Sequence, residues 1–290
     1  MAEKDMTEKT LEAYNDVFAD IVNVLLFNGR QVVKEDELTA ETPRSLYKAD
    51  GMLHEQERDV AKFWNNTNVR IALYGLENQT DIDVDIPLRI MSYDGAAYRD
   101  QLNGQKKRYP VVTLVLYFGE KRWDSPRSLL ERLEIPEELK PYVSDYKVNI
   151  FEIAWLSEEQ VQLFQSDFKY VADYFVQVRK NKKYVPSAET IRHVHETLQL
   201  MSVLTKDQRF EEYANNQTAE GGNVTMCEVL DRMISEGYNK GISIGRNEGI
   251  SIGRNEGISI GEARAKKEYE EELARLKAKL AKYEAQECRN

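Results

Sequence analysis

The segment Pro110–Phe118, PVVTLVLYF, limits the fold more than any other stretch of the chain. Apart from its proline and Thr113, it is apolar at both alternating sets of positions, so as a strand it must be covered on both faces. It is also far short of the ~20 apolar residues that a membrane-spanning helix needs. Its neighbours supply the rest of a layered α/β fold. Ala13-Tyr14, Val17-Phe18, Ile21-Val22 and Val24-Leu25 recur at helical spacing, and Asn28-Gly29 is a left-handed stop for that helix. A polar, mostly irregular stretch is expected from there to about residue 56. Two strand-like runs follow, Asp59–Trp64 and Ile71–Gln79, with residues 65–70 as their turn. That register sets Asp59 opposite Leu76, one residue from Glu77. A helix is expected from Pro87 to about Leu102 and another strand over Lys147–Ile153, while Ser157-Glu158-Glu159-Gln160 reads as a capping-box start. Together these elements indicate an α/β sandwich, a central mixed sheet flanked by helices.

Composition divides the chain. All seven prolines and all three tryptophans lie before residue 187, whereas seven glycines crowd between 237 and 261. The expected organisation is an α/β core over 1–155, a helical extension over 156–214, a linker over 215–225 containing NNQTAEGGN, and a tail over 226–290. In the tail GISIGRNE occurs twice in succession, and glycine falls at every fourth position from Gly237 to Gly261. Each helix-interior glycine costs about 1 kcal/mol relative to alanine, so seven cost about 7 kcal/mol. A helix here calls for close backbone contact with a second helix, as small-residue ridges allow. A flexible spacer and a short β-turn repeat are the alternatives. Beyond the repeat, Tyr269, Leu273, Leu276, Leu280 and Tyr283 step 4, 3, 4, 3, an a/d seam suited to pairing with its own copy as a homodimer or to docking on the body.

The formal charge of −10, from 40 basic and 50 acidic residues, provides no general attraction to nucleic acid or anionic lipid. A polyanionic partner needs a local basic patch or cations held by the acidic groups. Lys106-Lys107-Arg108 and Lys121-Arg122, at the two ends of the apolar strand, are the candidate DNA contacts. Two distant cysteines form no disulfide framework, and the N-terminus has no leader-like apolar run, so a soluble cytoplasmic protein without membrane contact is expected. His193 and His195 are two residues apart in a helical stretch and make no zinc pattern. Phosphate-binding glycine loops and a serine nucleophile elbow are absent from the sequence.

The sharpest chemical constellation is Asp59 with Glu77-Asn78-Gln79. Along the second strand Ile71, Leu73, Gly75, Glu77 and Gln79 share one face, which ends in a carboxylate and an amide. Two carboxylates held close repel unless a hard cation lies between them, and Mg²⁺ or Mn²⁺ suits such oxygen ligands. A metal there polarises a phosphodiester and lowers the pKa of the attacking water.

The blocks RDVAKFW, LYGLENQT, IPLRIMSYDGAAYRDQL and YPVVTLVLYFGEKRWDSPRSL, in that order, resemble the PD-(D/E)XK nuclease family of transposase-like proteins, which includes bacterial recombination-promoting nucleases. NDVFADIVNVLLFNGRQVV is similar to that family's opening helix, and the similarity runs from about residue 14 to about 180. The resemblance implies a restriction-endonuclease-like core whose acids lie on the hairpin, with a further acid from the first helix. Carried over by matching motif, these are Asp59, Glu77 and Asp20, with Asp16 as the runner-up to Asp20. The Asn78 carbonyl is a further candidate metal ligand. Gln79 stands where many of these enzymes carry Lys; it orients water but brings no charge, and Arg89 on the following helix is the candidate substitute. The function implied is a Mg²⁺-dependent DNA endonuclease in recombination or transposition. The alternative is a nuclease-fold module that binds DNA or protein, or acts in phage defence, without turnover.

Overall fold

A computed structural model of the chain describes residues 10–41, 44–49, 52–57, 59–66, 69–102, 107–217 and 224–287, with the side chains of 44–49, 52–57, 69–71, 216–217 and 282–287 left aside. It divides into two compact units, Met1–Leu230 and Asp231–Asn290.

The first unit opens with a 3-10 turn, Leu11–Ala13, and helix α1, Asn15–Phe27. Helix α1 ends as its sequence directs, with Asn28 left-handed at φ 54 and Gly29 at φ 80. Strands β1 (Leu38–Ala40), β2 (Arg44–Ala49), β3 (Met52–Glu57), β4 (Val60–Asn66) and β5 (Val69–Gln79) come next, then α2 (Ile86–Leu102) and β6 (Val111–Tyr117). The short helix α3 (Leu129–Arg132), strand β7 (Asn149–Glu152) and helices α4 (Glu158–Val161), α5 (Phe168–Asn181), α6 (Val194–Thr205) and α7 (Arg209–Gln217) complete this unit.

The main sheet has the order β1-β4-β5-β6-β7, in which β4 runs antiparallel to β1 and β5 while β5, β6 and β7 are mutually parallel. Strand β6, the apolar run, therefore sits between two strands and is buried along most of its length. One face carries Val115 and Tyr117 against Ile86, Ile90 and Tyr93 of α2. Beyond the strand's end, Phe118 meets Phe168 and Phe175 of α5 at ring-centroid distances of 6.3 and 5.0 Å. The stretch expected to be irregular instead holds β1 and a separate two-stranded sheet of β2 and β3. The two strands pair antiparallel from Arg44↔Glu57 to Ala49↔Met52.

The hairpin register also corrects the sequence reading. Both strands continue into the expected turn, to Asn66 and from Val69, and Asn65 pairs with Arg70 as the turn alone dictates. A bulge between Trp64 and Asn65 then shifts the ladder, so that Val60, not Asp59, pairs with Leu76. Asp59, just before β4, falls at the level of Glu77. The expected linker is partly structured as well: α7 runs through Gln217, and residues 218–223 lie outside the described residues.

The tail is helical. Helix α8 spans Met226–Glu287 without a break, about 93 Å at 1.5 Å per residue. Every described side chain from Ile234 to Ala281 is exposed. A Cβ added at any of the seven spaced glycines would meet nothing within 4 Å. Leu273, Leu276 and Leu280 of the a/d seam are exposed, and the side chain of Tyr283 lies outside the described residues.

Candidate active site at the hairpin end

The 3-10 turn, the start of β4 and the end of β5 converge on one face of the sheet. Strand alternation places Lys62, Tyr74, Leu76 and Asn78 on that face and Glu77 and Gln79 on the other. Lys62 is buried, and its ammonium donates to Ala13 O at 2.7 Å and to Asn15 Oδ1 at 2.5 Å. A buried lysine is retained only where its charge is answered. Here it pins the junction of the 3-10 turn and α1 onto β4, which sets Glu12 over the hairpin.

Glu12 is 1% exposed, and its Oε1 accepts from Asn78 Nδ2 at 2.9 Å. Asp59 is exposed, and its Oδ2 accepts from the Asn78 backbone N–H at 2.7 Å. Asn78 is thus held from both sides by carboxylates, while its own Oδ1 is buried without a hydrogen-bond partner. Burial pushes the Glu12 carboxyl up to about 7, and the nearby charge of Asp59 adds to the effect. Glu12, Asp59, Asn78 and Thr80 line a cavity of about 720 Å³ whose far wall is α6 with Glu196 and Leu200.

On the other face Glu77 is buried, and its Oε1 takes Arg89 Nη2 at 2.5 Å and Gln79 Nε2 at 3.3 Å. Arg89 also reaches Asp83 Oδ2 at 2.7 Å. The cation expected to stand in for the missing lysine does reach the Glu77 carboxylate, with a second acid sharing its charge.

The first-helix acids lie elsewhere. Asp20 Oδ2 accepts from the backbone N–H groups of Gln165 and Ser166, each at 2.8 Å, and so caps the segment leading into α5. It lines a separate cavity with Gln31, Lys34 and Arg192, one that contains neither Asp59 nor Glu77. Asp16 pairs with His193 Nε2 at 3.2 Å, and the His193 ring stacks on Tyr14 at 3.9 Å. Among the described residues no three Asp, Glu, His or Cys side chains are grouped to hold a metal. What the hairpin end does offer a hard cation is all oxygen: the carboxylates of Glu12 and Asp59 and the partnerless Oδ1 of Asn78. Two carboxylates with water suit Mg²⁺, so these residues fit such an ion where Asp20 does not.

Glu12 was the residue that sequence reasoning missed, although a signal exists. It lies four residues before Asp16 and eight before Asp20, one more step along the same stripe. The extended Tyr14, φ −76 and ψ 137, breaks the helix between them and turns Glu12 alone toward the hairpin. Of the basic candidates, Lys121 and Arg122 follow β6 and Lys107 and Arg108 precede it, while Lys106 lies outside the described residues.

A family model described as "Putative transposase, YhgA-like" matches residues 64–210. The matched segment runs from the end of β4 into α7 and includes Glu77, Asn78, Gln79 and Arg89. Glu12 and Asp59 precede it. No curated protein and no solved structure matches the chain.

Proposed function

We propose that this chain, which belongs to the YhgA-like transposase family, is a metal-dependent endonuclease that cuts DNA during transposition or recombination. The observation that carries the proposal is the pairing of Glu12 and Asp59 around Asn78 at the mouth of a cavity, with Glu77 and Gln79 at the same end of β5. The order of α1, β1, β4, β5, α2 and β6 supports a PD-(D/E)XK-like core, with the β2–β3 hairpin as an insertion. Open α/β sheets bind ligands beyond the carboxyl ends of their parallel strands, and Gln79 and Tyr117 lie at that end.

Mg²⁺ or Mn²⁺ would be held by Asp59, Glu12 and the Asn78 carbonyl, and would supply Lewis-acid polarisation of the phosphodiester. The protein's own contribution is positional. Lys62 fixes the turn that carries Glu12, and Asn78 holds Glu12 through its side-chain amide and Asp59 through its backbone N–H. On the opposite face of β5, Glu77 holds Gln79 and pairs with Arg89, which fixes the strand end that carries Asn78.

Plasmid nicking with Mg²⁺ or Mn²⁺ tests the proposal, with loss expected on Asp59→Ala or Glu77→Ala. Cleavage surviving both changes, in a preparation free of contaminating nuclease, removes the assignment. A second reading rests on the Glu77–Arg89 ion pair, which commits the carboxylate in a chain that already lacks the motif lysine. It makes the protein a binding or regulatory module without turnover. Calorimetry with Mn²⁺ separates the two, because an empty metal site gives no heat sensitive to Asp59→Ala. The exposed glycine tail is proposed to pair with a second copy; deleting residues 237–290 and finding an unchanged oligomeric mass would exclude it from that role.

A further inference from the structure

We infer that duplex DNA is gripped by a cationic platform that joins the loop after β6 to the end of α5, around Trp155. This inference rests on the endonuclease reading and says where the substrate backbone lies. The two elements are far apart in sequence, and their meeting is visible only in the fold. Arg122 from the loop and Arg179 from α5 each place a guanidinium 4.1 Å from the centre of the Trp155 ring. Arg179 Nε also donates to Ala154 O at 2.6 Å, which locks the end of α5 to the turn carrying Trp155. Around this clamp Lys121, Lys180, Lys182 and Lys183 are exposed.

Acidic neighbours answer part of this charge. Lys182 pairs with Glu120 at 2.5 Å, Lys180 with Glu158 at 2.6 Å, and Arg122 with Glu152 at 3.3 Å. The Arg122 and Lys182 side chains are nonetheless 61% and 67% exposed. The Lys182–Glu120 pair, exposed on both sides, is worth about 0–1 kcal/mol and yields readily to a phosphate. The macrodipole at the end of α5 accounts for cations in its last turn. It does not account for Lys121 and Arg122, which arrive from another element.

Position completes the argument. The Phe118 N–H donates to Gln79 O at 2.8 Å, so the platform loop leaves the sheet beside the end of β5 that carries the candidate site. Lys107 and Arg108 stand beyond the opposite end of β6, where Val111 pairs with Leu73. The strand between them spans about 20 Å, so the two clusters cannot both serve one phosphate near Gln79.

The test is binding of a labelled duplex of mixed sequence by the full chain, in chelator to prevent cleavage, across a salt series. Changing Lys121→Ala, Arg122→Ala and Lys182→Ala together should weaken binding about tenfold or more and flatten the salt dependence by about three contacts. Unchanged circular dichroism confirms folding, and Lys183→Glu alone should repeat the direction of the loss. The pair Lys107→Ala and Arg108→Ala is the rival arm. If the wild type binds, the platform variants bind equally well and the rival pair loses affinity, the platform is wrong while the DNA reading survives. If the wild type fails to bind DNA at all, both fall.

Discussion

The hairpin end and the glycine tail use opposite means to hold polar backbone in place. At the hairpin end Glu12, Lys62 and Glu77 are buried and each is held by named partners. In the tail a 62-residue helix exposes every described side chain from Ile234 to Ala281 and carries seven glycines that nothing approaches. The body is stabilised by what it encloses, whereas the described side chains along the tail's helix from Ile234 onward are exposed. Perturbations should therefore separate: changes at the hairpin move body stability and chemistry, and changes in the repeat move helicity and association.

The largest expected effect lies in the tail. Replacing all seven spaced glycines by alanine should favour the helix by about 7 kcal/mol. In the full chain, far-ultraviolet circular dichroism should show tail helicity persisting to higher temperature while the body's melting transition stays in place. A body transition that moves with it would break the separation. If glycine is there for close approach of a second copy, the same variant should lose oligomeric mass in sedimentation while gaining helix.

On the body side, Asp59→Ala should lower cleavage by at least about 100-fold, the scale of losing a preorganised electrostatic group, with the melting transition nearly unchanged because Asp59 is exposed. Glu77→Ala should lose activity to a similar degree. It also leaves the half-exposed Arg89 with Asp83 as its remaining acidic partner, so a fall in stability accompanies it.

Much of the body was legible because its signals are local. The stop at Asn28-Gly29, the capping box of Ser157 and Gln160, the helix from Pro87 and the two-sided burial of β6 each follow from a few neighbouring residues. The remainder depends on events that have no pattern of their own. A single bulge at Trp64/Asn65 moves Asp59 by one place, and one extended residue, Tyr14, decides that Glu12 faces the hairpin while Asp16 and Asp20 do not. Strands β2 and β3 form a sheet of their own outside the five-stranded one, in a stretch whose polar composition reads as irregular. The tail's helix was expected and is present over Met226–Glu287.

Glu12 yields the next effect in size, and its sign follows from the direction of its shift. Its folded-state pKa is raised from 4.5 to about 7, so the fold favours the protonated carboxyl. Stability linked to Glu12 is fully present below about pH 4.5 and is lost as pH rises through about 7, up to about 3 kcal/mol. In chelator, Glu12→Gln keeps an acceptor for Asn78 and removes the ionisation, so urea unfolding at pH 8 should show a gain of that order and at pH 4 none. Tail helicity should not respond. Equal stabilisation at both pH values would mean that the cause is packing and not charge.

The smallest effect discriminates most sharply between structural and catalytic acids. Asp20 satisfies the N–H groups of Gln165 and Ser166, and it is 5% exposed. Removing it leaves two backbone donors without their acceptor, at about 1–3 kcal/mol for a buried group. Burial also raises the pKa of Asp20, so the charged form is already penalised and its loss recovers part of that cost. Asp20→Ala should therefore destabilise the body by about 2 kcal/mol, while Asp20→Asn, which keeps one acceptor oxygen, should recover most of the loss. Cleavage measured well below the melting transition should follow the folded fraction in both variants. If Asp20→Asn instead folds like the wild type and no longer cuts, the helix acid belongs to the chemistry, and the cavity that it lines with Arg192 must be joined to the hairpin site.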